Sequence, residues 1–331
     1  MSFIDKTEIL IESSKGELNL FTFDDNIIYT SIDLSSSKEQ SHTILDGEFS
    51  FIDICLDITH DDTIYGIINN KAGKLLKLNI SNGIINTDSI LKYDFINFMI
   101  KFVYIKYVFN DNHIFYYSIN KKHPYSAYLI HIYNSDKLSK KSRIDIINYD
   151  IMTNFIVIFN KDIPSIFYFK LVNGFEELFV STFDFNLLKW SFPVQITNSK
   201  KSKIYLSALI DDSGIYHITF SEKNSGKYFC TYLKGQLKYR SFKIYNQQLL
   251  SKDPMCAFPS IFKYKSKLYI KWIEYFNLYE CISYDSGNTW TTPNVDLVSS
   301  NDPFLRYQYH SNSKHFNGSD VFGLKDGSII L

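Results

Sequence analysis

The chain has 331 residues, with 35 Lys and Arg against 35 Asp and Glu, and 17% of it is aromatic. A formal net charge of zero excludes the concentrated cationic excess that a nucleic-acid binder needs to track phosphates, and no apolar run reaches the ~18 residues of a membrane span. Abundant Tyr, Phe and Ile favour strands over helices, in a chain long enough to bury a large core.

The amino terminus, Met1-Ser2-Phe3-Ile4-Asp5-Lys6, shows no basic stretch followed by an apolar one. No secretory leader is expected, and the chain reads as a cytoplasmic protein of bacterial type, leaving the cell only on lysis. Cys55, Cys230, Cys256 and Cys281 stand singly in strand-like runs, which reads as reduced core residues. The histidines never approach the spacing of a zinc site, so no metal and no cofactor are expected. The lysine-rich stretch Ser199-Lys200-Lys201-Ser202-Lys203 reads as a solvated loop.

Strand candidates, bounded by Asp, Asn and Gly turns, fall in groups of four about every 50 residues. The first group is Ile9–Glu12, Leu18–Phe23, Ile27–Asp33 and His42–Leu45, and the second is Phe49–Ile58, Thr63–Ile68, Leu75–Ile80 and Ile84–Ile90. The third is Ile100–Phe109, His113–Ile119, Ala127–Tyr133 and Arg143–Ile147. The fourth is Phe155–Phe159, Ser165–Leu171, Glu177–Phe183 and Trp190–Ile196, and the fifth is Lys203–Leu209, Ile215–Phe220, Tyr228–Leu233 and Tyr239–Ile244. The sixth is Cys256–Phe262, Leu268–Ile273, Leu278–Tyr284 and Thr292–Leu297. No helix-length pattern competes. The remainder offers Leu305–His310, Val321–Leu324 and Ser328–Leu331, with no fourth strand.

The sharpest stretch is Ser283-Tyr284-Asp285-Ser286-Gly287-Asn288-Thr289-Trp290, a turn in which Asp bonds back to its own backbone and Gly takes positive φ. Asp184 and Trp190, in Thr182-Phe183-Asp184-Phe185-Asn186 and Trp190-Ser191-Phe192-Pro193, repeat the order with one residue inserted. Fainter copies lie at Thr231–Gly235 and Ser31–Ser35. The pattern Ser-x-Asp-x-Gly-x-x-Trp, carried by Ser283, Asp285, Gly287 and Trp290, resembles the Asp-box (BNR repeat) of sialidase-like β-propellers. That resemblance implies an all-β propeller of four-stranded antiparallel blades, 1–331 as a single domain, with the Asp-box between the third and fourth strands. An open ring leaves edges exposed, so the remainder, joined by Ser2-Phe3-Ile4, is expected to complete a seventh blade. Six blades with a closing appendage is the alternative.

Sialidase chemistry, as the resemblance implies it, needs three arginines clamping a carboxylate. This chain has only Arg143, Arg240 and Arg306, the first two on outer strands, and the family's Arg-Ile-Pro signature is absent. The adjacent acid pairs Asp24-Asp25, Asp61-Asp62 and Asp211-Asp212 lie in hairpin turns and read as turn formers. The expectation is therefore a non-catalytic, monomeric propeller serving as a binding scaffold, with an unknown protein or glycan as partner and neither nucleic acid nor membrane. A carbohydrate-binding protein or divergent glycosidase is the alternative. A ligand is expected on the face opposite the Asp-box turns, where Tyr125, Phe175, Glu176, Glu274, Tyr275 and Phe276 sit in loops. Arg306 with Tyr307 is the best candidate for a polar group at the channel mouth.

Overall fold

The computed structural model describes residues 7–23, 25–33, 38–81, 83–109, 111–238, 241–252, 255–313, 315–325 and 327–330. It is a β-propeller. Six sheets, each built round four antiparallel strands, follow one another along the chain as blades. Blade 1 is Thr7–Glu12, Leu18–Phe23, Asn26–Asp33 and Lys38–Asp46, and blade 2 is Ile54–Ile58, Ile64–Asn69, Lys74–Ser81 and Ile84–Lys92. Blade 3 is Phe98–Val108, Asp111–Asn120, Ser126–Asn134 and Ser139–Asn148. Blade 4 is Ile156–Asn160, Ile163–Val172 and Phe175–Asp184, with a fourth edge split into Lys189–Trp190 and Val194–Gln195. Blade 5 is Lys203–Ile210, Tyr216–Asn224, Lys227–Lys238 and Ser241–Leu249, and blade 6 is Ala257–Tyr264, Lys267–Glu274, Asn277–Ser283 and Asn294–Val295.

Burial is heaviest on the inner strands of a blade and falls away at the fourth, outer one. Every residue of Ile54–Ile58 and Ile64–Asn69 is buried, whereas Ile84–Lys92 is almost wholly exposed. A strand covered on both faces needs apolar groups on both. The packing groups into two compact units, Met1–Ile146 with Leu305–Lys314 and Gly323–Ile329, and Ile147–Phe304 with His315–Phe322 and Ile330–Leu331. In the first, Ile9, Phe21, Leu56 and Leu78 pack between blades 1 and 2, and Ile67, Ile105 and Ile114 between blades 2 and 3. In the second, Phe167, Phe220 and Leu233 join blades 4 and 5, while Tyr232, Ile270 and Trp272 join blades 5 and 6. All four cysteines are free and buried.

The expected seventh blade does not form. Phe304–Ser311 instead runs parallel to Thr7–Glu12, with Arg306 opposite Thr7 and Ser311 opposite Glu12. In the second unit, Phe316–Gly318 adds antiparallel to Ala257–Tyr264. The first strand of a blade has a bare row of amide and carbonyl groups on its far side, and the carboxyl-terminal strands satisfy those rows rather than building a sheet of their own. The termini do join, but through Phe304–Ser311, since Ser2-Phe3-Ile4 lies outside the described residues. The expected strand Thr292–Leu297 also shortens, because Asp296 caps a short helix, Leu297–Asn301, by accepting from the amides of Val298 and Ser299 at 2.9 and 3.1 Å. No described helix is long and apolar enough to cross a membrane.

A polar pair is sealed inside blade 3. His113 Nδ1 and His131 Nε2 lie 3.0 Å apart with rings stacked, and both side chains are buried. Burial pushes the His113 imidazole from 6.5 down to about 4, with Asp111 opposing the shift. Burial, then the neighbouring His113, holds His131 well below the ordinary histidine range. Both rings are therefore neutral when folded and take protons near pH 6.5 when unfolded, so their contribution is present above that pH and is lost as pH falls toward about 4. Thermal melts should show Tm declining through this window, with a smaller decline in a His113→Gln/His131→Gln variant. Parallel curves for the two proteins would remove the pair from the explanation.

Candidate functional site

The first unit brings Arg306 together with two phenylalanines. Phe51 stands on a single 3-10 turn, Phe51–Asp53, where the Ser50 amide and hydroxyl donate to Asp53 Oδ2 at 3.2 and 3.1 Å. Lys71 pairs with that same oxygen at 2.9 Å, which fixes the turn to blade 2. Phe102 is positioned by a break in the first strand of blade 3. The register there jumps between Phe115 and Tyr117, and Phe102 takes φ 53°. A bulge of this kind inserts one residue and re-aims a side chain. The Phe102 ring meets Phe51 edge-on at 6.4 Å and Tyr117 at 6.1 Å. The Arg306 guanidinium lies 5.9 Å over the Phe51 ring, and Nη1 reaches the Thr7 hydroxyl at 3.5 Å. Arg306, Phe51 and Phe102 are all partly exposed.

The same device recurs in the second unit. Tyr205 and Phe258, on the first strands of blades 5 and 6, sit at register breaks with φ 58° and 51°. Their rings are 4.2 Å apart. An aromatic residue in the left-handed region costs about 1–2 kcal/mol, so its repetition on three first strands marks a shared architectural demand. In blade 3 the break shows as a slip of phase within one strand, buried Ile100, Val103 and Ile105 being separated by three and then two residues.

The other expected site residues are placed variously. Tyr125, Tyr275 and Phe276 are 69%, 61% and 77% exposed, and Phe175 is partly buried. Glu176 and Glu274 are corrected, being buried at 3% and 2% exposure. The Glu176 carbonyl accepts from Lys203 Nζ at 3.2 Å, and Glu274 Oε1 accepts from the Trp272 indole at 2.7 Å. Tyr307 is corrected too: alternation along Phe304–Ser311 turns it fully inward, where its hydroxyl donates to the Leu324 carbonyl at 2.7 Å. Arg143, on the fourth strand of blade 3, stacks over Tyr128 at 5.5 Å, and Arg240 lies outside the described residues.

The turn at Ser283–Trp290 is a self-bonded knot. Asp285 Oδ1 accepts from the Asn288 and Thr289 amides at 3.1 and 2.9 Å, and Oδ2 from the Thr289 hydroxyl at 2.7 Å. Those bonds hold the exposed Asp285 carboxyl down at about 2. Gly287 N donates to Ser283 Oγ at 2.8 Å, and Trp290 meets the buried Tyr232 of blade 5 edge-on at 4.8 Å. In blade 4, Asp184 Oδ1 accepts from the Asn186 and Leu187 amides at 2.8 and 3.1 Å, and Trp190 tilts onto Phe183 at 5.4 Å.

One charged cluster lies beside the parallel join. Asp57 Oδ2 accepts from Tyr65 OH at 2.8 Å and Lys106 Nζ at 2.5 Å, while His310 Nδ1 is 3.4 Å from Oδ1. Burial alone would raise the Asp57 carboxyl, but His310 and Lys106 take it well below the usual carboxylate range. Glu12 accepts from Tyr309 and Ser311 across the same join. These carboxylates are committed as acceptors that tie strands together. No group of three or more His, Cys, Asp or Glu able to hold a metal occurs among the described residues.

No protein-family profile matches the chain, and no curated protein sequence does. Solved structures do resemble it. A polysaccharide lyase, the PL25 ulvan lyase bound to -[GlcA(1-4)Rha3S]-, is 9% identical with a TM-score of 0.63 over 98% of this chain and 91% of that one. The GH93 α-L-arabinofuranosidase of Fusarium graminearum is 10% identical, with a TM-score of 0.53 over 84% of this chain and 94% of that one. The SapL1 lectin, in complex with α-methyl fucoside, is 8% identical with a TM-score of 0.50 over 87% and 95%. The likeness is one of fold.

Proposed function

We propose that this protein is a carbohydrate-binding β-propeller that holds an acidic glycan without cleaving it. The observation that carries the reading is the bulge that sets Phe102 at φ 53° against Phe51, with Arg306 over the Phe51 ring. Aromatic faces take the C–H side of a sugar ring, and a guanidinium fork matches a carboxylate or sulfate. Binding of sugars by propellers of this fold, as in the lectin above, supports the reading. The Ser283–Trp290 turn supports placing the chain beside the sialidase-like propellers, and the commitment of Asp57 and Glu12 to strand ties favours binding over hydrolysis.

Calorimetry with uronate-containing and sulfated oligosaccharides tests it. Arg306→Ala should weaken binding by about 1.5–3 kcal/mol, the worth of a charged hydrogen bond, and Arg306→Lys should recover only part, because the fork is lost. Unchanged affinity in Arg306→Ala would assign any binding elsewhere.

A further inference from the structure

Three two-residue hairpins join the second and third strands of blades 4, 5 and 6. Their backbones are nearly superposable in φ: Asn173-Gly174 at 52° and 82°, Ser225-Gly226 at 50° and 84°, and Tyr275-Phe276 at 47° and 75°. Positive φ at both central positions is the turn geometry that selects Asn-Gly, because a Cβ in that region crowds the following carbonyl. Blades 4 and 5 obey the rule and blade 6 breaks it, placing a phenylalanine where its sisters use glycine.

Burial does not compensate for that choice. Tyr275 and Phe276 are 61% and 77% exposed, so both rings project into solvent from the tip. Glycine there would relieve the backbone and withdraw an exposed aromatic group, so folding gives no reason for Phe276. A strained residue kept against that pressure points to a role at the surface.

We infer that the Tyr275–Phe276 tip is a stacking site for a neutral pyranose, separate from Arg306 and resting on the glycan-binding reading above. The tip is small, and the corresponding hairpin of blade 5, Lys223-Asn224-Ser225-Gly226-Lys227, is polar. A protein hot spot needs a surrounding ring of contacts that excludes water, whereas a sugar needs only one exposed ring face. Glu274, which closes the hairpin opposite Asn277, puts an acid directly beneath the tip. The Glu274 carboxyl is itself buried against the Trp272 indole, and the turn Glu274-Tyr275-Phe276-Asn277 carries no cation to match a carboxylate or sulfate, so the tip offers ring faces alone and takes the neutral class.

The test restores the sister sequence, Tyr275→Asn/Phe276→Gly, in the full chain. Melting and far-UV circular dichroism are followed by saturation-transfer NMR and calorimetry with cellohexaose, mannohexaose and xylohexaose. The expected result is an unchanged fold with a higher Tm, and binding of the preferred hexaose weakened about tenfold or more, while Arg306→Ala leaves that hexaose bound. A lower Tm would show that the two rings serve folding and would overturn the inference. Hexaose binding unchanged in the double variant overturns the tip alone and leaves the acidic-glycan reading standing. No hexaose bound by the unaltered chain also overturns it, including the case in which a protein is captured instead. Failure of the unaltered chain to bind acidic oligosaccharides is a separate result, against Arg306.

Discussion

Replacing Lys203 by alanine is expected to destabilise the protein by about 3–5 kcal/mol, the cost of stranding a buried charge. Lys203 is fully buried, with Nζ 2.8 Å from Glu177 Oε2, 3.5 Å from Glu222 Oε2 and 2.8 Å from Ser199 Oγ. It also donates to the carbonyls of Lys201 and Glu176 at 2.7 and 3.2 Å. Glu177 in turn accepts from Thr197 Oγ1 at 2.5 Å and the Lys200 amide at 2.8 Å. Without the ammonium, the buried Glu177 carboxylate loses its ion pair and Glu222 keeps only the longer contact with Lys201. Urea unfolding measures the loss. Lys203→Met/Glu177→Gln should recover much of it, since removing both charges is far less costly than removing one. Lys201→Ala provides the contrast: its 3.8 Å contact with Glu222 comes from a side chain 41% exposed, and such pairs contribute at most about 1 kcal/mol. A Lys203→Ala loss no larger than that of Lys201→Ala would show that water reaches the cluster.

Gly287→Ala should cost about 3 kcal/mol or more, from a strained backbone and an overfilled core together. Gly287 holds φ 76°, and a Cβ there would stand 1.9 Å from the Tyr232 hydroxyl and 3.1 Å from His217 Nδ1. Tyr232 has no free direction in which to retreat. Its hydroxyl is 2.7 Å from His217 Nδ1, His217 Nε2 is 3.1 Å from Asp211, and Trp290 covers its ring. Ser286→Gly, one residue earlier at φ 56° and exposed, should instead be neutral or slightly stabilising. Thermal melts of the two variants separate the causes, because backbone strain alone would leave Gly287→Ala no worse than about 1–2 kcal/mol. A loss of that size would mean that Tyr232 can move.

Much of the fold was legible because strand and turn chemistry are local. The six four-strand groups and the Ser283–Trp290 turn depend on neighbours within a few residues. Blade number did not, since a run such as Leu305–His310 announces a strand without naming its partner, and that partner, Thr7–Glu12, lies at the other end of the chain. Lys203 misled for a related reason. Within Ser199–Lys203 it looks solvated, and only Glu177, 26 residues earlier, gives its ammonium a place inside. Glu176, Glu274 and Tyr307 were misplaced because a propeller strand buries both faces near its middle, so alternation does not identify an outward side. Arg306 was visible as a candidate, but its companions Phe51 and Phe102 depend on a 3-10 turn and a bulge. Bulges leave only a slip in phase to read.

The pairing of residues 306–311 with residues 7–12 also orders events during synthesis. The sheet around Thr7–Glu12 is made long before its parallel partner, so one flank of it stays bare until the segment some 299 positions downstream has been translated. Translation that stops short of residue 306, or a protease that removes residues 306–311, therefore leaves a naked hydrogen-bonding row along Thr7–Glu12, a surface well suited to recruiting strands from other chains.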